Sequence, residues 1–196
     1  QSEYSLRAHQ AMNLGFREPV VISNAVDPEI FHPPKARANL VGRKLRVISA
    51  SWSDNRNKGA DVYEWLDRNL DFSRVEYTFV GRMASELKNI RVVPPVPSHE
   101  VAELLRENDV YLTASRNDPC SNSLIEALSC GLPAVYLNSG GHPELVGNAG
   151  LRFETAEEIP SLLEQMASDI DRFRSRILVP SMENVAGRYL EVLGLK

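Results

Sequence analysis

Short apolar runs alternate along this 196-residue chain with stretches in which apolar residues recur at helical spacing. Five runs have the length and composition of buried strands, and they cover residues 45–48, 75–80, 90–93, 110–112 and 134–137. Strands that alternate with helices in this way form right-handed βαβ units and a parallel sheet. The sequence therefore predicts an α/β fold, a Rossmann-like doubly wound parallel sheet.

The two ends of the chain depart from this alternation. Residues 1–14 have helical periodicity, residues 19–23 have the pattern of a strand, and residues 35–43 have the polar composition of a linker. The tail from Ile159 onwards predicts two helices separated at Pro180. In the middle of the chain we expect Ser98 to cap a helix and four aromatic side chains to be core residues: Trp52, Tyr63, Trp65 and Phe79.

Charge and cysteine content narrow the functional classes. A net charge of −4 and a pI near 5.6 argue against nucleic acid held by a basic surface. No apolar run approaches the roughly 20 residues that a membrane span needs, and no secretion signal is visible, so we expect a cytoplasmic protein. The two cysteines and four scattered histidines show no metal-ligand spacing, so we expect no bound metal.

Ligands of such a sheet bind beyond the carboxyl ends of its strands. The loop after the first strand places Arg56 and Lys58 beside the start of a helix, where free N–H groups and two cations suit a diphosphate. Arg82 directly follows the second strand, where it is placed to meet a phosphate or a base. Taken singly, each of these residues is explained more simply as a surface cation or a surface ion pair.

The loop after the fourth strand carries two carboxylates. Asp118 lies on the loop, Ser121 or Ser123 is placed to cap the next helix, and Glu126 lies about one turn into that helix. A carboxylate at Glu126 is able to accept two ribose hydroxyls, and Asp118 is able to accept hydroxyls of a sugar. A helix-surface carboxylate and a turn-forming residue explain the two equally well.

The loop after the fifth strand contains a glycine pair, Gly140 and Gly141, ahead of Pro143 at the expected start of a helix. Two glycines let a backbone approach a ligand closely. A plain strand-to-helix turn is the alternative, and it is at least as good an explanation for His142 and Glu144.

In their order and spacing these segments resemble the C-terminal half of retaining GT-B glycosyltransferases of the group 1 type (family 4). The resemblance covers most of the chain, and no single segment decides it. The segments that carry it are residues 21–27, 31–33, 58–59, 79–82, 109–115, 118–133 and 140–141 and the single residue Glu144.

The resemblance implies a role for each candidate residue. Asp118 and Glu126 have the spacing of the family's paired acids, which implies Asp118 near the donor sugar and Glu126 on the nucleotide ribose. Lys58 matches the lysine on the diphosphate, so Asp118 and Lys58 are the predicted catalytic residues. The other predicted donor-binding residues are Arg56, Arg82, Val96, Ser121, Asn122, Ser123, Leu124, Gly140 and Gly141.

Three positions depart from the family pattern. Asp118 stands where the family usually has the longer Glu. Ser53 stands where it usually has a phosphate-binding arginine, and Arg56 is the candidate replacement. The usual Gly-Phe-Gly-Leu stretch is replaced by residues 119–122, in a version that occurs in bacterial members, which leaves the geometry at the donor sugar open.

The resemblance also implies a domain organisation and an activity. Residues 1–40 would be the end of an N-terminal acceptor domain with its linker, residues 41–178 the nucleotide-sugar-binding domain, and residues 179–196 a helix packing toward the missing domain. The full enzyme would transfer a sugar with retention from a nucleotide-diphosphate donor to a glycan or lipid-linked acceptor, in glycan or cell-envelope synthesis, without a metal or cofactor. The fragment alone is expected to bind donor and to be inactive.

Two alternatives share this fold. One is a GT-B nucleotide-sugar epimerase, and the other is a non-catalytic binding or scaffolding module with a decayed site. The expected partners are the donor, the missing domain and the acceptor, without nucleic acid, and peripheral membrane association of the full enzyme is compatible with a lipid-linked acceptor. A dinucleotide oxidoreductase is not expected, because no GxGxxG motif follows any strand.

Overall fold

The computed structural model describes residues 1–13, 15, 18–37 and 39–195. Its centre is a six-stranded sheet in which all paired strands are parallel. The strands are β1 (Leu45–Ser51), β2 (Val75–Gly81), β3 (Arg91–Val93), β4 (Val110–Thr113), β5 (Ala134–Leu137) and β6 (Gly150–Phe153). Their order is β3-β2-β1-β4-β5-β6, which confirms the predicted Rossmann-like α/β fold.

Helices accompany the sheet on both faces. They are α1 (Glu3–Ala11), α2 (Ala60–Asn69), α3 (Ser98–Arg106), α4 (Asn122–Ser129), α5 (His142–Val146), α6 (Ile159–Ser168), α7 (Ile170–Arg174) and α8 (Met182–Val192). Short 3-10 turns occupy Arg56–Lys58 and Ala156–Glu158. The chain builds the sheet outwards from β1 in one direction and from β4 in the other, so the topological switch point lies between β1 and β4.

Neighbouring residues of one strand contribute to different hydrophobic cores. Val47 packs in a cluster with Leu66 and Phe79 on one face of the sheet, whereas Ile48 packs in a cluster with Leu124 on the other face. All of these side chains are buried. Burial on both faces explains why the strands appear in the sequence as continuous apolar runs instead of alternating ones.

Two differences from the predicted strands have clear causes. The sequence does not predict β6, because its four residues include Gly150 and Arg152 and lack an apolar run. A Cβ on Gly150 would lie 2.1 Å from the carbonyl oxygen of Ala134, so the glycine permits the close pairing of β6 with β5. The strand predicted at residues 19–23 is wrong: this segment pairs with no strand of the described chain, and Val20 is exposed.

Other local predictions are corrected by the structure. The N-cap residue of α3 is Pro97, so Ser98 begins the helix and does not cap it. Trp52 is 52% exposed, because it follows the carboxyl end of β1 and lies beyond the sheet. The other three aromatic residues contribute to the core, as predicted. The tail forms three helices, since Asp169 interrupts the helical run well before Pro180.

Parts of the predicted N-terminal helix and linker lie outside the described residues. These are Leu14, at the end of the predicted helix, and Ala38, within the predicted linker. The described part of the helix, α1, agrees with the prediction.

Candidate functional site

Three loops meet at the carboxyl edge of the sheet, around the switch point, and main-chain hydrogen bonds join them. They follow β1, β4 and β5. The amide of Arg116 donates to the carbonyl oxygen of Asn57 over 2.6 Å, which joins the loops after β4 and β1. The amide of Gly141 donates to the carbonyl oxygen of Asp118 over 2.9 Å, which joins the loops after β5 and β4. Main-chain hydrogen bonds therefore fix the positions of the three loops relative to one another at this edge.

Glycines occur where these loops touch. Gly59 has a φ of +80°, and a Cβ there would lie 2.5 Å from the Cβ of Ala114. A Cβ on Gly140 would lie 2.2 Å from the carbonyl oxygen of Asp118, and one on Gly141 would lie 2.3 Å from that of Pro119. The glycine pair thus serves a loop-to-loop contact, and its approach to a ligand stays a prediction.

Lys58 and Asp118, the two residues predicted to be catalytic, form an ion pair. The Nζ atom of Lys58 lies 2.9 Å from Oδ2 of Asp118. The other carboxylate oxygen, Oδ1, accepts a hydrogen bond from the amide of Cys120 over 3.3 Å. The Lys58 side chain is 34% exposed and that of Asp118 only 14%, so the ammonium group keeps N–H donors available to a ligand.

Glu126 is half-buried about one turn into α4. Burial raises the pKa of its carboxyl group above the ordinary value. Among the residues that the structure describes, none forms a hydrogen bond or an ion pair with this carboxylate. Its oxygens keep contact with solvent, so they are open to a ligand that donates hydrogen bonds.

The first turn of α4 lacks a side-chain cap. Ser121 occupies the N-cap position, one of the two predicted alternatives, but its side chain accepts no hydrogen bond from the first turn. Its Oγ lies instead 3.2 Å from Oγ of Ser123. Leu124 is fully buried, main chain included, so its predicted contact with a ligand stays a prediction. This turn therefore presents uncapped amides and the partial positive charge of a helix N-terminus.

Arg82 and Lys58 both line a cleft of only about 10 Å³, the room of one water molecule, together with residues 53–55, 60, 63, 79, 83 and 84. The amide of Arg82 donates to the carbonyl oxygen of Ser51 over 2.9 Å, which fixes the start of its loop. Arg56 does not line the cleft, although it belongs to the same 3-10 turn as Lys58. The structure therefore places Arg82 and Lys58 on one cleft, whereas Arg56 is exposed and lies outside its lining.

Val96 lies between β3 and α3 and packs, partly buried, against the second core cluster. Its predicted role beside the nucleotide base stays a prediction. His142 is fully buried at the start of α5, and burial lowers its pKa, so it is a neutral core histidine at neutral pH. Its Nδ1 lies 3.1 Å from the carbonyl oxygen of Leu137.

Residues from the start of the chain also reach this edge, which the sequence analysis does not predict. The side-chain amide of Asn24 donates to Oδ1 of Asn122 over 2.7 Å. The Tyr4 hydroxyl donates to Oδ1 of Asn117 over 3.1 Å. Glu144 accepts hydrogen bonds from the main chain of α1. These contacts join residues at least 98 positions apart, which no local pattern reveals.

A larger groove, of about 940 Å³, lies at the opposite edge of the sheet, where β1 and β2 begin and α6 packs. None of the predicted site residues lines it, so the size of a cavity does not identify the site here. In the described part of the chain, no cluster of three potential metal ligands occurs. No described helix has the length and apolar character needed to cross a membrane.

Comparison with protein families and curated proteins gives consistent matches. The family model described as glycosyl transferases group 1 matches residues 62–169, more than half of the chain. The GPI3 subunit of phosphatidylinositol N-acetylglucosaminyltransferase from Saccharomyces cerevisiae is 30% identical over 175 residues, which cover 81% of this chain and 39% of that protein. A D-inositol 3-phosphate glycosyltransferase from Catenulispora acidiphila is 29% identical over 143 residues, which cover 59% of this chain and 34% of that protein. The chain thus spans about two fifths or less of the length of these relatives.

Solved structures share the fold at low sequence identity. Sucrose-phosphate synthase from Thermosynechococcus elongatus superposes with a TM-score of 0.77 at 14% identity, over 100% of this chain and 58% of that chain. Anabaena HepE, solved in complex with UDP-glucose, superposes with a TM-score of 0.75 at 17% identity, over 100% of this chain and 62% of that chain. At this identity the likeness concerns the fold alone.

Proposed function

Because this chain belongs to the group 1 glycosyltransferases, we propose that it is the donor-binding part of an enzyme that transfers a sugar from a nucleoside-diphosphate sugar with retention. The observation that carries this proposal is the half-buried carboxylate of Glu126, which no described residue partners, beside the switch point of a doubly wound sheet. The two hydroxyls of a ribose would satisfy both of its oxygens. A nucleoside is therefore the class of ligand that this position fits.

The diphosphate of the donor lies, in this proposal, between Lys58, Arg82 and the uncapped first turn of α4. Negative charge develops on the diphosphate as its bond to the sugar breaks, and fixed cations and helix amides stabilise that charge. Arg56 supplies a further exposed cation beside Lys58. The proposal includes no metal and no cofactor, because these groups supply the positive charge.

Asp118 faces the donor sugar in this arrangement. The main chain of Gly140 and Gly141 borders the same side, because both glycines contact the loop that carries Asp118. Lys58 would contact the diphosphate while it keeps its ion pair with Asp118. One ammonium group would then link the leaving group to the carboxylate beside the sugar.

The acceptor belongs to a part of the enzyme outside this chain, which covers 39% of its yeast relative. Residues 1–40 and 179–196 are the proposed connections to that part. α8 has no buried residue and exposes Tyr189, Leu190 and Val192, an apolar surface suited to a neighbouring domain. This donor-binding part alone is expected to bind donor without transferring sugar, and a robust transfer rate would contradict that expectation.

A glycan or a lipid-linked molecule is the proposed acceptor. The names of two relatives refer to phosphatidylinositol and to D-inositol 3-phosphate, so inositol-containing acceptors are the first to test. A lipid-linked acceptor would bring a cytoplasmic enzyme to the membrane surface. The relatives come from yeasts and from bacteria, so a bacterial origin and a role in cell-envelope synthesis stay predictions.

Calorimetric titration of UDP, GDP and ADP into this chain and into Glu126→Gln tests the proposal. We expect one nucleoside diphosphate to bind, and Glu126→Gln to weaken it about tenfold or more, because the charge and one of the two acceptor oxygens are lost. Glu164→Gln, the same chemical change at an exposed surface pair with Arg74, is the matched control and should leave the affinity unchanged. Binding by none of the three, or equal binding by wild type and Glu126→Gln, would contradict the proposal and favour a non-catalytic module.

A further inference from the structure

Glu144 has a well-defined set of contacts that the proposed donor site does not use. Its Oε2 accepts the amide of Glu3 and its Oε1 accepts the amide of Tyr4, each over 2.8 Å. These two residues begin α1 and lie 140 or more positions earlier in the chain. Arg7 adds a longer ion pair of 3.5 Å to Oε1, with an exposed side chain.

These contacts complete the N-terminus of α1. The first turn of any α-helix leaves amides without partners inside the helix. In α1 the Oγ of Ser2 accepts the amide of Ser5, and Glu144 accepts two further amides. The carboxylate also offsets the partial positive charge of the helix end. Since no residue of α1 is buried, this polar contact holds the start of the helix in the absence of core packing.

The start of α1 lies beside the loops that would border the donor sugar. Ser2 is buried, and a Cβ added to Gly141 would lie 3.3 Å from the Cβ of Ser2. The Tyr4 hydroxyl donates to Asn117, the residue that precedes Asp118 in the chain. The helix start therefore contacts both the loop of Asp118 and the loop of Gly141.

We propose that Glu144 is a positioning residue that holds the start of α1 against these two loops. Ser2 and Tyr4 would then border the part of the donor site that binds the sugar. Glu144 acts through α1 and does not contact the nucleotide. The proposal rests on the proposed function for the identity of the ligand. The contact between Glu144 and α1 exists in the ligand-free chain, so it is tested separately.

Hydrogen exchange of the 196-residue chain, measured by mass spectrometry without a ligand, tests the contact between Glu144 and α1. Glu144→Gln replaces one acceptor oxygen with an N–H₂ group that faces a main-chain amide. We expect the amides of residues 3–11 to exchange about ten- to a hundredfold faster. Glu164→Gln should leave them unchanged, and Glu144→Asp, which keeps the charge, should restore part of the protection. Unchanged exchange in Glu144→Gln would overturn the proposal.

Titration with matched ligands tests the effect on the sugar side. UDP, GDP and ADP are each compared with their glucose derivative in the wild type and in Glu144→Gln. We expect the affinity for the nucleoside diphosphate to stay within about twofold and the affinity for its sugar derivative to fall about three- to tenfold. Only the sugar contacts Ser2 and Tyr4 in this proposal, and these two residues lose their fixed position. Equal weakening of both ligands would indicate a general structural role and overturn the positioning role. If no nucleotide binds, the proposed function fails. Hydrogen exchange still decides whether Glu144 holds the start of α1 in place.

Discussion

Replacing Asp67 by Asn should loosen the loop that carries Arg82 into the cleft beside Lys58. Asp67 lies near the end of α2 and is only 6% exposed. Its carboxylate accepts three consecutive main-chain amides, those of residues 88–90, at 3.0, 2.7 and 2.8 Å. The side-chain amide of Asn89 also donates to the carbonyl oxygen of Asp67. This one residue therefore anchors the segment between β2 and β3.

The charge of Asp67 is part of this anchor. Burial by itself would raise the pKa of the carboxyl, but the hydrogen bonds from the three amides outweigh it and hold the pKa below the ordinary value of 3.8. Since the folded pKa lies below the unfolded one, the stabilisation is complete above about pH 5. It is lost as the pH falls through 3.8 toward the folded pKa.

The expected cost follows from the number of hydrogen bonds. A hydrogen bond to a charged acceptor contributes about 1.5–3 kcal/mol, and Asn keeps one acceptor oxygen while it turns an N–H₂ group toward the amides. We therefore expect Asp67→Asn to lower the free energy of unfolding by about 2–4 kcal/mol at pH 7. At roughly 2–4 °C per kcal/mol for a chain of this size, the melting temperature should fall by about 4–16 °C.

Urea unfolding and thermal melts at several pH values between 7 and 3 measure this effect. Asp171→Asn is the matched control, because the Asp171 side chain is 91% exposed and its pair with Arg174 spans only three residues. The difference between wild type and Asp67→Asn should narrow below about pH 4. A difference under about 0.5 kcal/mol at pH 7, or one that stays constant down to pH 3, would refute the reasoning.

Three further perturbations test the loop contacts of the site, its ion pair and the hydrophobic core below it. Gly140→Ala places a Cβ 2.2 Å from the carbonyl oxygen of Asp118 at a φ of +63°, so it should cost about 3 kcal/mol or more, whereas Gly42→Ala, with φ +78° and open space, should cost about 1–2 kcal/mol in the same urea assay. A double-mutant cycle with Lys58→Met and Asp118→Asn should give a coupling of about 0.5–1 kcal/mol, and a value of zero would mean that the pair does not stabilise the fold. Leu66→Ala, at a fully buried position, should cost about 2–5 kcal/mol by unfolding, and a smaller cost would mean that the first core cluster collapses around the lost volume.

The sequence predicts the fold because strands and helices depend on local patterns, and the fold in turn indicates the edge at which a ligand is expected. Strands buried on two faces appear as apolar runs, and the order of runs and helices fixes the parallel sheet and its ligand edge. The ion pair of Lys58 with Asp118 joins two predicted site residues that lie on different loops, those after β1 and β4. Their proximity follows from β1 and β4 being neighbours in the sheet.

Features that depend on contacts distant in sequence are not predicted. Glu144 is as consistent with a simple turn as with a role in the site, and only the folded chain shows that it caps α1. The sequence offers Arg56 beside Lys58 for a diphosphate and Arg82 for a phosphate or a base, whereas only Arg82 lines the cleft with Lys58. Trp52 is predicted to be buried from its apolar character, but its position just past β1 leaves it exposed.

The joining of the three loops through main-chain atoms has a consequence for how such a site changes during evolution. The hydrogen bonds from Arg116 to Asn57 and from Gly141 to Asp118 involve no side-chain atom, so substitution at Asn57, Arg116 or Asp118 leaves the donors and acceptors in place. Side chains at this edge can therefore be exchanged to suit a different ligand while the main-chain scaffold is kept. Shortening the acid at position 118 by one methylene, relative to the usual Glu, is a change that such a scaffold tolerates without rebuilding.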